Sequence, residues 1–267
     1  MEVYEQLVQE FGVTVEGLRA VSLALSKLGE IELQQQDQQG ALERFRKRLK
    51  ICGGIVQEFG DSTENLRELS SALLNVGDLE RLEGDQPAGL ARYRQSLQIS
   101  ERILAEDGES ADNLRCVRVA LVKAGDVERL EGDRASATGR YRRALEISQK
   151  IVEVAGETPE SLQDVCVSLI KVGDMERLGG NKAGALEQYR LSMKVGERLL
   201  SVFGETAECL RSFSILCSRM AQTEPERVRQ WLERGRQCLL SIIDHGWETP
   251  ETRNELAMFE RGLEKLK

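Results

Sequence analysis

The segment Gly77-Asp78-Leu79-Glu80-Arg81-Leu82 decides the fold, because it returns nearly unchanged at a constant interval along the chain. The same pattern reads GDVERL from Gly125 and GDMERL from Gly173, so successive copies start 48 residues apart (77, 125, 173). Outward from it, a residue pair ending in glycine recurs at the same interval, at 11–12, 59–60, 107–108, 155–156 and 203–204. A fixed period of this length indicates a tandem array in which each copy is one supersecondary unit.

Each period contains two amphipathic helical segments joined by tight turns. In the third copy Leu114, Val117 and Leu121 recur at the spacing of one helix face, and a second apolar stripe starts at Ala137. Helix ends are indicated by glycines just past a helix, by Thr-Pro pairs that place a capping hydroxyl before the first turn, and by one capping-box spacing. These signals are Gly60, Gly108, Gly156 and Gly204, then Thr158-Pro159 and Thr249-Pro250, and finally Thr223 with Glu226.

The residues of each copy resemble the tetratricopeptide repeat (TPR) family. The second copy reads Gly77, Gly84-Asp85, Gly89, Tyr93 and Ser96, and the later copies keep this series. The family likewise has a small residue in the middle of helix A, a turn with glycine, and an aromatic residue on helix B. The present period is longer than the usual ~34 residues. The resemblance implies an all-α fold, a right-handed TPR-type solenoid of antiparallel helix pairs.

The period also predicts the domain organisation. It places a single TPR-like solenoid over residues 1–267, with repeats starting near 11, 59, 107 and 155, and a shortened one near 203. A closing C-terminal helix is expected over 250–266. Val3, Leu7 and Val8 are in register with apolar residues of later B helices. We therefore expect the chain to begin inside a helix B and to be a fragment of a longer protein.

Composition argues against several classes of function. The 267 residues carry 37 basic and 45 acidic side chains, a net charge of −8, and only 4% are aromatic. This balance makes nucleic acid and anionic membranes poor partners. A single histidine, His245, and the lack of a phosphate-binding glycine motif predict no catalytic site, no metal, no cofactor and no enzyme. Six cysteines without a CxxC pair favour free thiols in a reducing, cytoplasmic compartment.

The TPR resemblance places the candidate binding site on helix A, which lines the inner groove of such arrays. Residues three and four apart share one helix face. Here that face would combine an apolar floor, flanking arginines and a row of aspartates, which suits a peptide with apolar anchors and acidic flanks. The predicted groove residues are Arg67, Leu74, Asp78, Arg81, Arg115, Val119, Val122, Lys123, Asp126, Arg129, Val167, Ile170, Lys171, Asp174 and Arg177. Alternatively, Asp78 with Arg81 and the later counterparts are i,i+3 ion pairs on a solvated helix.

Four glutamates one period apart occupy a helix-A position where the TPR family has an aromatic residue. A carboxylate near the core needs partners. We predict that these glutamates form an inter-helix ladder with the arginine that follows each helix-B aromatic; a row of proton-active or metal-binding acids is the alternative. The glutamates are Glu32, Glu80, Glu128 and Glu176, and the arginines are Arg46, Arg94, Arg142 and Arg190.

Together these patterns predict a non-enzymatic scaffold that binds a protein or peptide partner through the helix-A groove. A second hypothesis is a regulatory or sensor module of a larger effector, such as a protease or a signalling or defence protein, whose active part lies outside this sequence. A third is self-association, because a solenoid with unpaired ends can stack head to tail.

Overall fold

The structure is a computed structural model that describes residues 14–266, in which the chain is helical without β-strands. The predictions made for residues 1–13, including a helix B at the start of the chain, lie outside the described residues. The described helices are α1 (Val15–Gln34), α2 (Gln38–Phe59), α3 (Thr63–Leu82), α4 (Gln86–Asp107), α5 (Ala111–Leu130), α6 (Arg134–Ala155), α7 (Pro159–Leu178), α8 (Lys182–Phe203), α9 (Ala207–Thr223), α10 (Val228–Asp244) and α11 (Pro250–Glu264). The last of these covers the position of the expected closing helix.

The chain divides into two compact units, 1–140 and 141–267, with the boundary inside α6. In the first unit, helices α1 to α5 each pack on the next along the chain, and α3 also contacts α5. In the second unit, α7 to α11 pack in the same order, and α7 also contacts α9. Most connections are three-residue turns, so consecutive helices run antiparallel. The predicted fold class, an all-α TPR-type array of antiparallel helix pairs, is confirmed. We call odd-numbered helices A helices and even-numbered ones B helices.

The helix ends follow the local sequence signals. Gly60, Gly108 and Gly204 have φ values of 87°, 81° and 82°, which glycine adopts without steric cost. Thr158 forms a capping box with Ser161 at the start of α7, as its position before a proline predicted. The helix boundaries are therefore determined largely within one turn of each end.

The capping box predicted for Thr223 and Glu226 is wrong. Thr223 is the last residue of α9, and its hydroxyl donates to the carbonyl of Arg219 at 2.8 Å. A short 3₁₀ helix, Pro225–Arg227, follows without a side-chain cap. The three-residue spacing between Thr223 and Glu226 gave a wrong prediction because the turn of this repeat is shortened and Glu224, between the two helices, is buried.

Close contact between an A-helix glycine and a B-helix aromatic ring holds helix pairs together in both units. A Cβ atom added at Gly77 would lie 2.8 Å from Cε1 of Tyr93, and one added at Gly173 would lie 2.6 Å from Cε1 of Tyr189. Both tyrosines are essentially inaccessible to solvent. The ring therefore packs on the A-helix backbone itself, and this requires glycine.

We predict that Gly77→Ala destabilises the protein, because the added methyl group would overlap the Tyr93 ring. Overpacking of this kind costs about 1–3 kcal/mol. The matched control is Gly53→Ala in α2, where an added Cβ meets no heavy atom within 4 Å; there alanine should stabilise the helix by about 0.8–1 kcal/mol. Urea denaturation of both variants measures the two free energies of unfolding. If Gly77→Ala had the same free energy of unfolding as Gly53→Ala, the close contact between Gly77 and Tyr93 would not contribute to stability.

Candidate functional site: the helix-A surface

The helix-A surface is the solvent-facing side of the A helices, described separately for each unit. Residues one period apart mark it: Leu23, Ser71 and Val119 in the first unit, and Val167 and Ile215 in the second. Leu23 is 60% and Ile215 is 39% exposed, while the two valines are half-buried. Each unit therefore leaves apolar side chains open to solvent on this side.

The predicted groove residues lie on A helices, and all but one are half-buried. The exception is Ile170, which is 7% exposed and packs in the core of the second unit with Phe213 and Leu216. Ile170 therefore cannot offer much surface to a partner. Leu74, although half-buried, also packs against a core cluster that includes Tyr93.

At the N-terminal ends of the A helices, arginines connect neighbouring repeats. Arg67 Nη2 donates to Asn113 Oδ1 at 2.6 Å, and Asn113 Nδ2 donates to the carbonyl of Gly108 at 2.9 Å. One repeat earlier, Arg19 makes the same contact with Asn65 at 2.8 Å. Arg67 is therefore engaged within the protein instead of extending freely into a groove.

Asp78 is also engaged, by a neighbouring helix. It accepts a 2.7 Å hydrogen bond from the Tyr93 hydroxyl, and Lys123 Nζ of α5 donates to both of its carboxylate oxygens at 2.7 Å. The predicted alternative paired Asp78 with Arg81, but the cation nearest to its carboxylate comes from the next A helix. Lys123 therefore has its charge compensated within the first unit.

The second unit repeats this arrangement with arginine in place of lysine. Asp174 accepts from the Tyr189 hydroxyl at 2.7 Å and from Arg219 Nε at 2.7 Å. Burial and the adjacent Asp174 raise the pKa of Tyr189, while Arg177 acts in the opposite direction. The tyrosine hydroxyl therefore remains a donor, and the aspartate connects α7 to both α8 and α9.

A cavity of about 350 Å³ opens on the helix-A surface of the second unit, between α9 and α11. Its apolar lining comes from Ile215, Leu232, Met258 and Phe259, and its polar lining includes Arg219 and Glu255. Sequence analysis missed most of this site. Ile215 could have been found, because it lies 48 residues after Val167. The α11 residues could not have been found in this way, because the fifth repeat is shorter and α11 is therefore not a multiple of 48 residues from the earlier A helices.

A second cavity, of about 370 Å³, lies on the helix-A surface of the first unit. Its polar lining includes Asn75, Asp78, Arg81 and Lys123, and apolar residues such as Phe45 and Leu79 form much of the rest. Since the carboxylate of Asp78 already accepts from Lys123, this cavity has fewer uncommitted groups than its residue types suggest.

Catalytic chemistry has little support among the described residues. All six cysteines are free, and burial raises the pKa of Cys166 to about 12 and that of Cys209 to about 11. Thiols of this kind are poor nucleophiles. His245 is exposed, with its Nδ1 2.7 Å from the Ser241 carbonyl oxygen. Within residues 14–266 we find no group of three or more His, Cys, Asp or Glu side chains placed to bind a metal, and no helix long and apolar enough to cross a membrane.

Comparison with solved structures identifies the fold. BtubC (BKLC) from P. vanneervenii superposes with a TM-score of 0.60 at 14% identity, over 83% of this chain and 82% of that one. A putative kinesin light chain from Podosopora anserina with nearly identical TPR-like repeats gives 0.57 at 14% identity, over 83% and 95%. The Rap conjugation gene regulator of plasmid pLS20, in complex with the Phr* peptide, gives 0.60 at 11% identity, over 94% and 67%. No protein family model and no curated protein matches the sequence.

The chain has the TPR fold. In this TPR array, the helix-A position that carries an aromatic residue in the family holds a glutamate, which is buried in the middle copies. Glu128 is 1% exposed; its Oε1 accepts from Arg94 Nη2 at 3.2 Å and its Oε2 from Arg140 Nε at 2.7 Å. Glu80 lies in the same way between Arg46 and Arg92. The predicted ladder is confirmed for Glu80, Glu128 and Glu176, each of which pairs with the predicted arginine of the preceding repeat. Glu32 is the exception, because it pairs with Arg44 of its own repeat.

The ladder has a member that sequence analysis overlooked. Glu224 is 2% exposed, pairs with Arg190, and accepts a 2.9 Å hydrogen bond from the indole nitrogen of Trp231. It lies 48 residues after Glu176, so the period contained the signal. Burial and two partners explain Glu80, Glu128 and Glu224 as structural residues, and the alternative of proton-active or metal-binding acids is not needed for them.

We predict that Glu128→Gln lowers the free energy of unfolding by about 3 kcal/mol, because it removes a buried charge that compensates two arginines. Glu176→Gln is the matched control. Its side chain is 22% exposed and pairs with Arg142 alone among the arginines, so its loss should be under about 1 kcal/mol. Calorimetric melting temperatures measure both effects. Equal losses would contradict a dependence on burial.

Proposed function

We propose that this TPR array is a non-enzymatic scaffold that binds a protein or peptide partner through its helix-A surface. The observation that carries the proposal is the cavity between α9 and α11, whose apolar lining reaches solvent. Met258 is 63% and Ile215 is 39% exposed beside it. Exposed apolar side chains around a concave site favour contact with another molecule. A partner that inserts an apolar anchor there would remove this surface from water.

The first unit contributes differently to the proposed interface. Val119 and Val122 are half-buried on α5 and provide a second apolar contact. The partner was predicted to have acidic flanks because arginines lie near this surface. One of these arginines, Arg67, is already paired within the protein. Arg81 and Arg129 are half-buried, and we propose that they provide the anionic steering. The acidic flanks themselves stay a prediction.

The fold comparison supports a peptide or protein as the partner class, because the Rap regulator was solved in complex with a peptide. It also favours one alternative. The match covers 67% of that regulator's chain, so the regulator has a further part outside the shared array. By analogy, the present chain could be the regulatory or sensor module of a larger multidomain effector. Six free cysteines support the proposed cytoplasmic location.

We predict that Ile215→Glu weakens partner binding more than about tenfold, because it places a charge against an apolar contact. Leu191→Glu is the matched control: Leu191 lies on helix α8, and at 41% exposed it is as accessible as Ile215. The partner would be captured from the source cell with the wild-type protein, identified by mass spectrometry and purified. Titration calorimetry would then compare the three proteins.

Both variants should keep the wild-type melting temperature, since both positions are exposed. Equal affinities for Ile215→Glu and Leu191→Glu would reject the helix-A surface as the binding site. Self-association is tested with the same samples: light scattering over a range of concentrations would show a rising mass if copies stack.

A further inference from the structure

One carboxylate oxygen at the cavity between α9 and α11 lacks a partner. Glu255 Oε2 is shielded from solvent and accepts no hydrogen bond from the described residues. Burying such an oxygen without a donor is costly, because its hydration is lost and nothing replaces it. Glu255 therefore lines the cavity with a carboxylate that forms no ion pair with the described residues.

Two residues of the cavity lining already donate hydrogen bonds within the protein. Arg219 Nε donates to Asp174 at 2.7 Å, so the charge of the cationic lining residue is compensated. The Ser214 hydroxyl donates to the carbonyl of Arg211 at 2.8 Å. With Arg219 offset by Asp174, Glu255 leaves an uncompensated negative charge beside the cavity.

The rest of the lining suits an aliphatic chain. Ile215, Leu232, Met258 and Phe259 form apolar walls. Phe259 is 7% exposed and packs tightly on α10, where a Cβ added at Gly235 would lie 2.3 Å from its ring. Met258, by contrast, is exposed and flexible, which allows it to adapt to a ligand. The site thus combines a fixed wall, an adaptable wall and an acceptor.

We propose that this cavity binds a lysine or arginine side chain of the partner. The methylene stem lies against Met258 and Ile215, as such stems do on apolar surfaces, and the cationic head pairs with the Glu255 carboxylate. This inference rests on the proposed function and adds the specificity of one subsite. It also limits the predicted acidic flanks to other parts of the helix-A surface, because an acidic side chain here would face the Glu255 carboxylate.

The first test measures what Glu255 costs in the free protein. Glu255→Met should raise the melting temperature by about 2–4 °C, because it removes the unpaired buried oxygen. Glu260→Met, on the same helix, is the control: Glu260 is 46% exposed and lies 3.5 Å from Arg236, so no gain is expected. A melting temperature of Glu255→Met at or below that of wild type would contradict the unpaired state.

The second test uses small probes in place of the unidentified partner. Protein with ¹³C-labelled methionine methyl groups is titrated with n-butylguanidinium, with its neutral isostere n-butylurea, and with butyrate, while the Met258 signal is followed by NMR. Wild-type protein should bind the guanidinium at least about fivefold more tightly than the urea, and butyrate least, because a charged donor strengthens the bond to a carboxylate. Glu255→Gln should abolish this preference.

Three results would overturn the proposal: equal binding of the three probes by wild type, an unchanged preference in Glu255→Gln, or a Met258 signal that none of the probes shifts. These are distinguishable from failure of the proposed function. If Ile215→Glu still weakens partner binding while the probes show no preference, the subsite chemistry is wrong and the helix-A interface stands. If Ile215→Glu and Leu191→Glu bind the partner equally, the interface itself is wrong.

Discussion

The structure depends on direct packing of an aromatic ring against the backbone of the preceding A helix. Only glycine allows this approach, as the 2.8 Å distance from a Cβ at Gly77 to the Tyr93 ring demonstrates. The next residue, Asp78, accepts the tyrosine hydroxyl. The first repeat follows the same logic, since Phe45, which has no hydroxyl, packs on Gly29, and the residue after that glycine is Glu30, which pairs with Lys27 instead.

Polar groups then connect one helix pair to the next within each unit. Near the C-terminal ends of the A helices, buried glutamates such as Glu128 join arginines of two successive B helices. Near their N-terminal ends, Arg67 reaches Asn113 of the following A helix. A buried carboxylate is tolerated only with such partners. The longer helices of this array thus use charge pairs where the TPR family has an aromatic contact.

These connections change what the helix-A surface can bind. A sequence stripe rich in arginine and aspartate suggests a charged groove, but Lys123 and Arg219 are compensated by Asp78 and Asp174. What remains open in the second unit is largely apolar, together with the Glu255 carboxylate that lines the cavity. The charge available to a partner is therefore a property of the packed helices, and counting residue types overestimates it.

The sequence alone determined the 48-residue period, the helix ends at residues such as Thr158 and Gly108, the TPR fold and the pairing of the glutamates with arginines. The helix ends depend on local propensity, which acts within one helical turn. The fold and the glutamate–arginine pairing depend on the exact repeat, which places the same residue types at the same position of each copy. Only the tertiary structure decided that Ile170 is buried, that Asp78 pairs with Lys123, and that α11 closes a cavity onto Glu255. Such contacts join residues about a repeat apart in sequence, and the shortened fifth repeat removes the register that could have predicted the last of them.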